Sequence, residues 1–339
     1  MWSLSRREEG RRSTLKRVLT VAVTLLLVIS AAGWSAEIFE KVGTVGAQFL
    51  KIGVGARAIG MGEAFVAVSD DASSIYWNPA GIAMVEGSEF NLSHASWPAE
   101  MSHEFATYVF SYKFLPGVLG LSATVLQMDP MPEVTEYRQD GTGYSFDAGS
   151  MAFGLTYANM FTDRFSFGFT LKWIHEGLAD YSGETFAVDM GTLYDTGFRG
   201  IKLGMCFQNM GSGYTFRDGG KESPMPITFK VGGSMPLLDI PDHRVLGSAE
   251  FNHPPDGAER INIGGEYVYQ KYGPNFELAL RGGYRFNRDE EGLTGGFGVK
   301  FPFVRIGLTG KPSIWGVDYA FSDMGLLGTS HKISLWANF

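Results

Sequence analysis

From residue 89 onward the chain alternates apolar and polar side chains with a period of two, the repeat of a β-strand. Segment 164–173 sets Phe165, Phe167, Phe169, Leu171 and Trp173 against Ser166, Gly168, Thr170 and Lys172. Segment 276–286 sets Phe276, Leu278, Leu280, Tyr284 and Phe286 against Glu277, Ala279, Arg281 and Arg285. The same rhythm runs through 105–114, where Ala106, Tyr108, Phe110, Tyr112 and Phe114 oppose Thr107, Ser111 and Lys113. It returns in 315–321, where Trp315, Val317, Tyr319 and Phe321 oppose Gly316, Asp318 and Ala320.

Two architectures share this pattern. A soluble sandwich buries one face of each sheet and wets the other. A membrane barrel turns its apolar face to lipid and its polar face to a lumen. The polar face here is built from Gly, Ser, Thr and Ala, which suits a crowded interior. The apolar face is heavily aromatic, as the girdles of a barrel are. The sequence therefore predicts an all-β fold, a single antiparallel transmembrane β-barrel over 89–339. About fourteen strands are expected, at 89–97, 104–114, 118–128, 146–158, 164–176, 184–195, 200–209, 226–235, 245–253, 259–269, 276–287, 293–301, 313–322 and 331–339. Short links at 115–117, 159–163 and 196–199 alternate with longer ones at 129–145 and 209–225, as short periplasmic turns and longer outer loops would. The segment 302–312 is long where a turn is expected.

Residues 1–36 have the three parts of a secretory signal. Arg6, Arg7, Arg11, Arg12, Lys16 and Arg17 precede an apolar run at 18–29, and Ser30, Ala31, Ala32, Gly33, Ser35 and Ala36 follow. The apolar run is short of the ~20 residues that span a bilayer, which favours cleavage over anchoring. Six basic and two acidic residues lie in 1–36, so the remainder carries a net charge of −12, against −8 for the whole chain. So acidic a body is a poor binder of nucleic acid.

Residues 53–83, GVGARAIGMGEAFVAVSDDASSIYWNPAGIA, break the rhythm. They are too interrupted by Gly and Pro for one long helix. A barrel of about fourteen strands has a lumen wide enough to need filling, and residues 37–88 are the candidate filler, a plug. Gly53, Gly55, Gly60 and Gly62 would let its backbone pass close to the wall. Arg57 is expected to pair with Asp70, Asp71 or a lumen carboxylate such as Glu277. Asn78-Pro79-Ala80-Gly81 reads as a turn in which Asn78 accepts a backbone hydrogen bond and Pro79 fixes φ. These plug residues are candidates for a structural or gating role. Glu266, Glu277 and Asp318 are expected to pair with Arg281, Arg285 or Lys300, because an uncompensated charge in a narrow interior is costly.

Enzyme signatures are missing from the sequence. GVGARAIG does not have G-x-G-x-x-G spacing, and no Walker lysine follows it. None of the six histidines lies in H-E-x-x-H or H-x-E, and no G-x-S-x-G elbow occurs. The single cysteine, Cys206, excludes an intrachain disulfide and a metal site built from several thiolates; it reads as a small half-buried residue. No catalytic, cofactor-binding or metal-binding residue is assigned, and no cofactor.

The stretch GARA-IGMGEAFVAVSDDAS…NPAG resembles the FadL-like outer-membrane barrels and, within them, the PorV/PorQ family. Supporting stretches are PITFKVGGS at 226–234, VDYAF at 317–321 and GTSHKISLWANF at 328–339. The resemblance implies that the glycine-rich piece folds inside the barrel near its periplasmic end. It implies that the terminal Phe339 serves as a signal to the barrel-insertion machinery, and that the protein sits among outer-membrane lipid. It implies work with type IX secretion, in which such a barrel carries secreted cargo to a surface-attachment complex. The alternative is a FadL-like channel that takes up hydrophobic small molecules or fatty acids. A further reading is a barrel that closes its own pore.

Overall fold

The computed structural model describes residues 43–98, 100–112, 115–216, 220–270, 273, 275–288, 292–303 and 313–339. The expected signal segment 1–36 and residues 304–312 lie outside the described residues. Among the described residues, fourteen antiparallel strands form one closed barrel. They are β1 (Ser88–Trp97), β2 (Met101–Ser111), β3 (Val118–Met128), β4 (Ala148–Thr162), β5 (Phe165–Leu178), β6 (Tyr181–Asp195), β7 (Lys202–Gly211), β8 (Thr228–Ile240), β9 (His243–His253), β10 (Arg260–Tyr269), β11 (Glu277–Phe286), β12 (Leu293–Pro302), β13 (Ile314–Asp323) and β14 (Thr329–Asn338). Each strand pairs with its sequence neighbours. The ring closes where β1 meets β14, with Glu89 opposite Asn338 and Asn91 opposite Trp336. Closure leaves no unpaired edge, which a sheet inside hydrocarbon requires.

The long connections 129–147 and 212–227 fall at the same end of the barrel, with a small ladder of Met131–Pro132 against Ser145–Phe146 inside the first. The expected fourth strand starts two residues late because Phe146 belongs to that ladder. Tight links at 163–164 and 241–242 lie at the other end.

The faces point as the alternation requires. On β5, Phe169 and Leu171 are 41% and 47% exposed, while Ser166 and Thr170 between the aromatic positions are fully buried. On β11, Leu278, Leu280, Tyr284 and Phe286 are exposed and Arg285 is buried. Large apolar side chains outside and Ser, Thr, Asn, Lys and Glu inside invert the soluble pattern. That distribution is stable only when hydrocarbon surrounds the ring.

Residues 43–87 occupy the interior. They form short pieces: 3-10 turns at Gln48–Lys51 and Pro79–Met84, and helices α1 (Ala56–Gly60) and α2 (Ser74–Trp77). Their apolar side chains make a core of their own, in which Trp77 meets Phe65 and Tyr76 edge-on at 6.1 and 4.9 Å, and Tyr76 meets Phe105 of β2. Ile75, Ile82 and Val85 pack against Val109, Val118 and Ala158 of the wall. Such an irregular backbone leaves many N–H and C=O groups without secondary-structure partners, and burial makes each costly. The polar inward side chains answer this need. Glu250 accepts from Phe65 N and Val66 N at 3.0 and 2.9 Å. Ser234 donates to Ala67 O, Ser166 to Ala80 O, Gln208 to Tyr76 O and Lys332 to Gly53 O. The small polar face is thus the complement of the segment it encloses.

Candidate functional site

The glycine-rich stretch sits against wall positions that are themselves glycines. Gly62 has a φ of +65°, and a Cβ there would stand 2.9 Å from Ile263 O and 3.0 Å from Tyr284 N. Across from it, a Cβ on Gly264 would overlap Met61 O, and one on Gly283 would overlap Gly62 N. Backbone therefore lies on backbone, and both sides need glycine. A Cβ on Gly60 would reach Cβ of Arg281 at 3.2 Å. Gly55, at φ +75°, turns the chain into α1, where Ala56 N donates to Ser334 Oγ at 2.8 Å.

Arg57 projects from α1 into a carboxylate cluster. Its Nε and Nη2 donate to the two oxygens of Glu266 at 2.9 and 3.1 Å. Its Nη1 donates to Asp70 at 2.6 Å and Asp71 at 2.9 Å, and its guanidinium lies 5.4 Å from the Phe65 ring centre. Burial opposes the charge, but Asp70, Glu266 and Asp71 together hold Arg57 firmly cationic. Burial pushes the Asp71 carboxyl above its usual range, against the pull of Arg57. The Asp71 Oδ1 accepts from Ser73 N at 2.9 Å and from the Ser73 hydroxyl.

The two expected aspartate partners of Arg57 are present. Its lumen partner is Glu266, whereas Glu277 pairs with Lys300 at 2.8 Å. Arg281 joins Glu266 to Asp318, as the charge balance predicts. Arg285 instead holds Glu63 of the inner segment at 3.1 Å, with Arg288 on the second oxygen. Burial raises Glu63, but Arg288 and Arg285 outweigh it and bring its pKa down to about 2.

Asn78 ties the NPAG turn at three points. Its Oδ1 accepts from Ala80 N at 3.2 Å, and its Nδ2 donates to Val66 O at 2.8 Å and Thr192 O at 2.9 Å. Pro79 starts the 3-10 turn, where its missing N–H costs nothing. A Cβ on Gly81 would meet Ser69 O at 2.6 Å. Phe339, at the other terminus, exchanges backbone hydrogen bonds with Ser88, and its ring lies tilted against Phe90 and edge-on to Trp315. Cys206 is fully buried rather than half-buried, because Val66 and Ala67 cover it.

Beside Arg57 lies a cavity of about 300 Å³. Six carboxylates (Asp70, Asp71, Glu89, Glu266, Glu277, Asp318) and four cations (Arg57, Arg244, Arg281, Lys300) line it. It lies toward the end of the barrel opposite the long loops, because Glu89, Arg244, Glu277 and Asn338 stand near strand ends there. Glu89, Asn91 and Trp336 were not singled out from the sequence. The period-two pattern of β1 and β14 places all three inward, but only the closing pairing of those strands brings them together.

No curated protein sequence matches the chain significantly. Solved structures do. The Ralstonia pickettii toluene transporter TbuX has a TM-score of 0.54 at 13% identity, with 84% of this chain and 97% of that chain covered. The CymD monoaromatic hydrocarbon channel gives 0.55 at 13%, covering 84% and 96%. A Pseudomonas aeruginosa FadL homologue gives 0.52 at 11%, covering 83% and 97%. At such identities the likeness is one of fold: a FadL-like outer-membrane barrel. The family model of the type IX secretion system protein PorV matches residues 35–254, well over half the sequence. The chain belongs to the PorV family.

Proposed function

We propose that this protein is a non-catalytic outer-membrane component of type IX protein export or surface attachment, acting through contacts with secretion proteins or secreted cargo. The PorV family match over 35–254 carries this reading. On it, 1–36 is a cleaved export signal, 37–88 is a plug, and 89–339 is the barrel. The glycines, Arg57, the aspartates and the NPAG turn shape and hold the plug, and Phe339 marks the last strand for insertion. The long loops face outward and the tight turns face the periplasm.

The hydrophobic-uptake reading draws on the fold shared with toluene transporters and hydrocarbon channels. The interior beside residues 53–83 weighs against it. An apolar ligand in the 300 Å³ cavity would displace water from ten charged side chains and offer nothing in return. Affinity capture from detergent-solubilised outer membranes tests the proposal. Recovery of secretion components or of proteins bearing a shared export domain is expected. Recovery of the barrel alone, together with uptake of a labelled hydrocarbon by proteoliposomes, would overturn it in favour of the channel.

A further inference from the structure

A second, smaller space lies between the inner segment and the wall. It measures about 20 Å³, and Lys51, Lys230, Arg260 and Arg288 line it together with a single carboxylate, Glu63. Thr228, the first residue of β8 after the long connection 212–227, also lines it, so it lies toward the end of the barrel that carries the long loops. Lys51 is held by Asp256 at 2.9 Å, and Glu63 by Arg285 and Arg288. Lys230 is not held in this way. It points inward from β8 and is 5% exposed, and its ammonium has neither a hydrogen-bond acceptor nor a carboxylate partner among the described residues. Its Nζ lies 4.7 Å from the ring centre of Trp77 and 5.6 Å from that of Tyr76. The rings attract the charge from one side but do not replace an oxygen acceptor for its three N–H groups. Opposite Lys230 in the β8–β9 ladder stands Asn252, which is 7% exposed and lines the same space. Its Oδ1 is sealed by protein, and its Nδ2 has no acceptor among the described residues. Two donors paired across adjacent strands thus face one small space with nothing to donate to. A buried donor left unmade is costly, and a buried charge without a counter-charge more so.

We infer that this space binds a small inorganic anion, the size of chloride, between Lys230 and Asn252. A volume of about 10–15 Å³ suffices for one water-sized particle, so a single ion fits, whereas an acid with a hydrocarbon tail does not. The ion accepts from Lys230 Nζ and Asn252 Nδ2, and the guanidinium groups of Arg260 and Arg288 add to the positive potential. Glu63 does not exclude it, because two guanidinium groups already offset that carboxylate. A water would accept the same hydrogen bonds but would leave the ammonium without a counter-charge. Bound there, the ion completes the seat of α2 on the wall: Lys230 holds the rings of Tyr76 and Trp77 on one side and the ion on the other. The inference stands on this space alone and does not depend on the export reading.

The linewidth of the chloride NMR signal tests it, measured with the full-length barrel in an uncharged detergent and sodium gluconate, with sodium chloride titrated in. Saturable broadening beyond that of protein-free micelles is expected. Lys230→Met, which keeps the length of the side chain and removes its charge, is expected to abolish that broadening. Asn252→Asp places a carboxylate beside Lys230 in the ion's stead, and is expected to abolish the broadening while the inner segment stays seated. Cleavage within 43–87 by protease should be slower in chloride than in gluconate at matched ionic strength for the parent, and equal in the two salts for Asn252→Asp. An absence of saturable broadening, the result for a space that holds only water, would overturn the inference. So would broadening that is unchanged in a folded Lys230→Met protein. Should Lys230→Met fail to assemble, Asn252→Asp decides, since chloride broadening at the parent's strength there contradicts it.

Discussion

Replacing Arg57 by Ala removes the cation that joins the inner segment to the wall. Deleting one partner of a fully buried pair costs ~3–5 kcal/mol. Two features reduce that figure here. The Arg57 side chain is 20% exposed, and the groups left behind are not abandoned, since Glu266 keeps Arg281 and Asp71 keeps Ser73. The expected cost is therefore about 2–3 kcal/mol, set against local release of the segment rather than unfolding of the ring. A cost of that size raises the open population between about 30-fold and about 150-fold. Limited proteolysis in detergent micelles reads this population directly when opening is fast relative to cleavage. Cleavage within 43–87 should accelerate by that factor, while heat-modifiable migration of the barrel on gels stays as in the parent. Arg57→Lys should fall between, because a point charge cannot hold Glu266 with two donors and reach Asp70 and Asp71 as well. A folded Arg57→Ala barrel whose inner segment is cleaved no faster than the parent's would refute the reasoning.

Glycines on opposite faces of β11 make a matched pair of tests. Gly283→Val should block seating of Gly62 and expose the inner segment to protease, whereas Gly282→Val, with nothing within 4 Å of its Cβ, should leave digestion unchanged. Phe169→Arg should cost ~2–4 kcal/mol in a denaturant titration from lipid vesicles if the position lies at mid-bilayer; a neutral result would reverse the assignment of faces. Glu63 links the segment to acid pH. Its folded pKa is about 2, below the usual 4.5, so its contribution is complete above 4.5 and is lost as pH falls toward 2. Protease sensitivity of the inner segment should therefore rise across that window, and Glu63→Gln should flatten the rise.

The barrel was legible because its signal is local. Each strand announces its faces through its own alternation, as 164–173 does, and strand ends follow from where that alternation stops. The interior is less legible, because its contacts join residues far apart in the chain. The aspartates near Arg57 in sequence could be proposed as partners, but the choice of Glu266 over Glu277 depends on α1 packing against β12 and β13, from which Arg57 reaches Glu266 of β10, and on Lys300 already holding Glu277. Arg285 was expected to answer a wall carboxylate and answers Glu63 instead, since Gly62 and Gly283 bring that turn against β11. Glu89, Asn91 and Trp336 carried no motif. Their chemistry exists only once the first and last strands pair. Wall glycines such as Gly264 and Gly283 could have been noticed as inward-facing glycines in register, a sign that another backbone approaches there.

The account rests on hydrocarbon touching the apolar face of the strands while the interior is filled. Spin labels placed one at a time at 278, 279, 280 and 281, in a protein with Cys206 replaced and reconstituted in lipid, test this most directly. The account predicts collisions with dissolved oxygen at 278 and 280 and shielding from it at 279 and 281. Oxygen accessibility that is uniform along the four positions, or highest at 279 and 281, would contradict it.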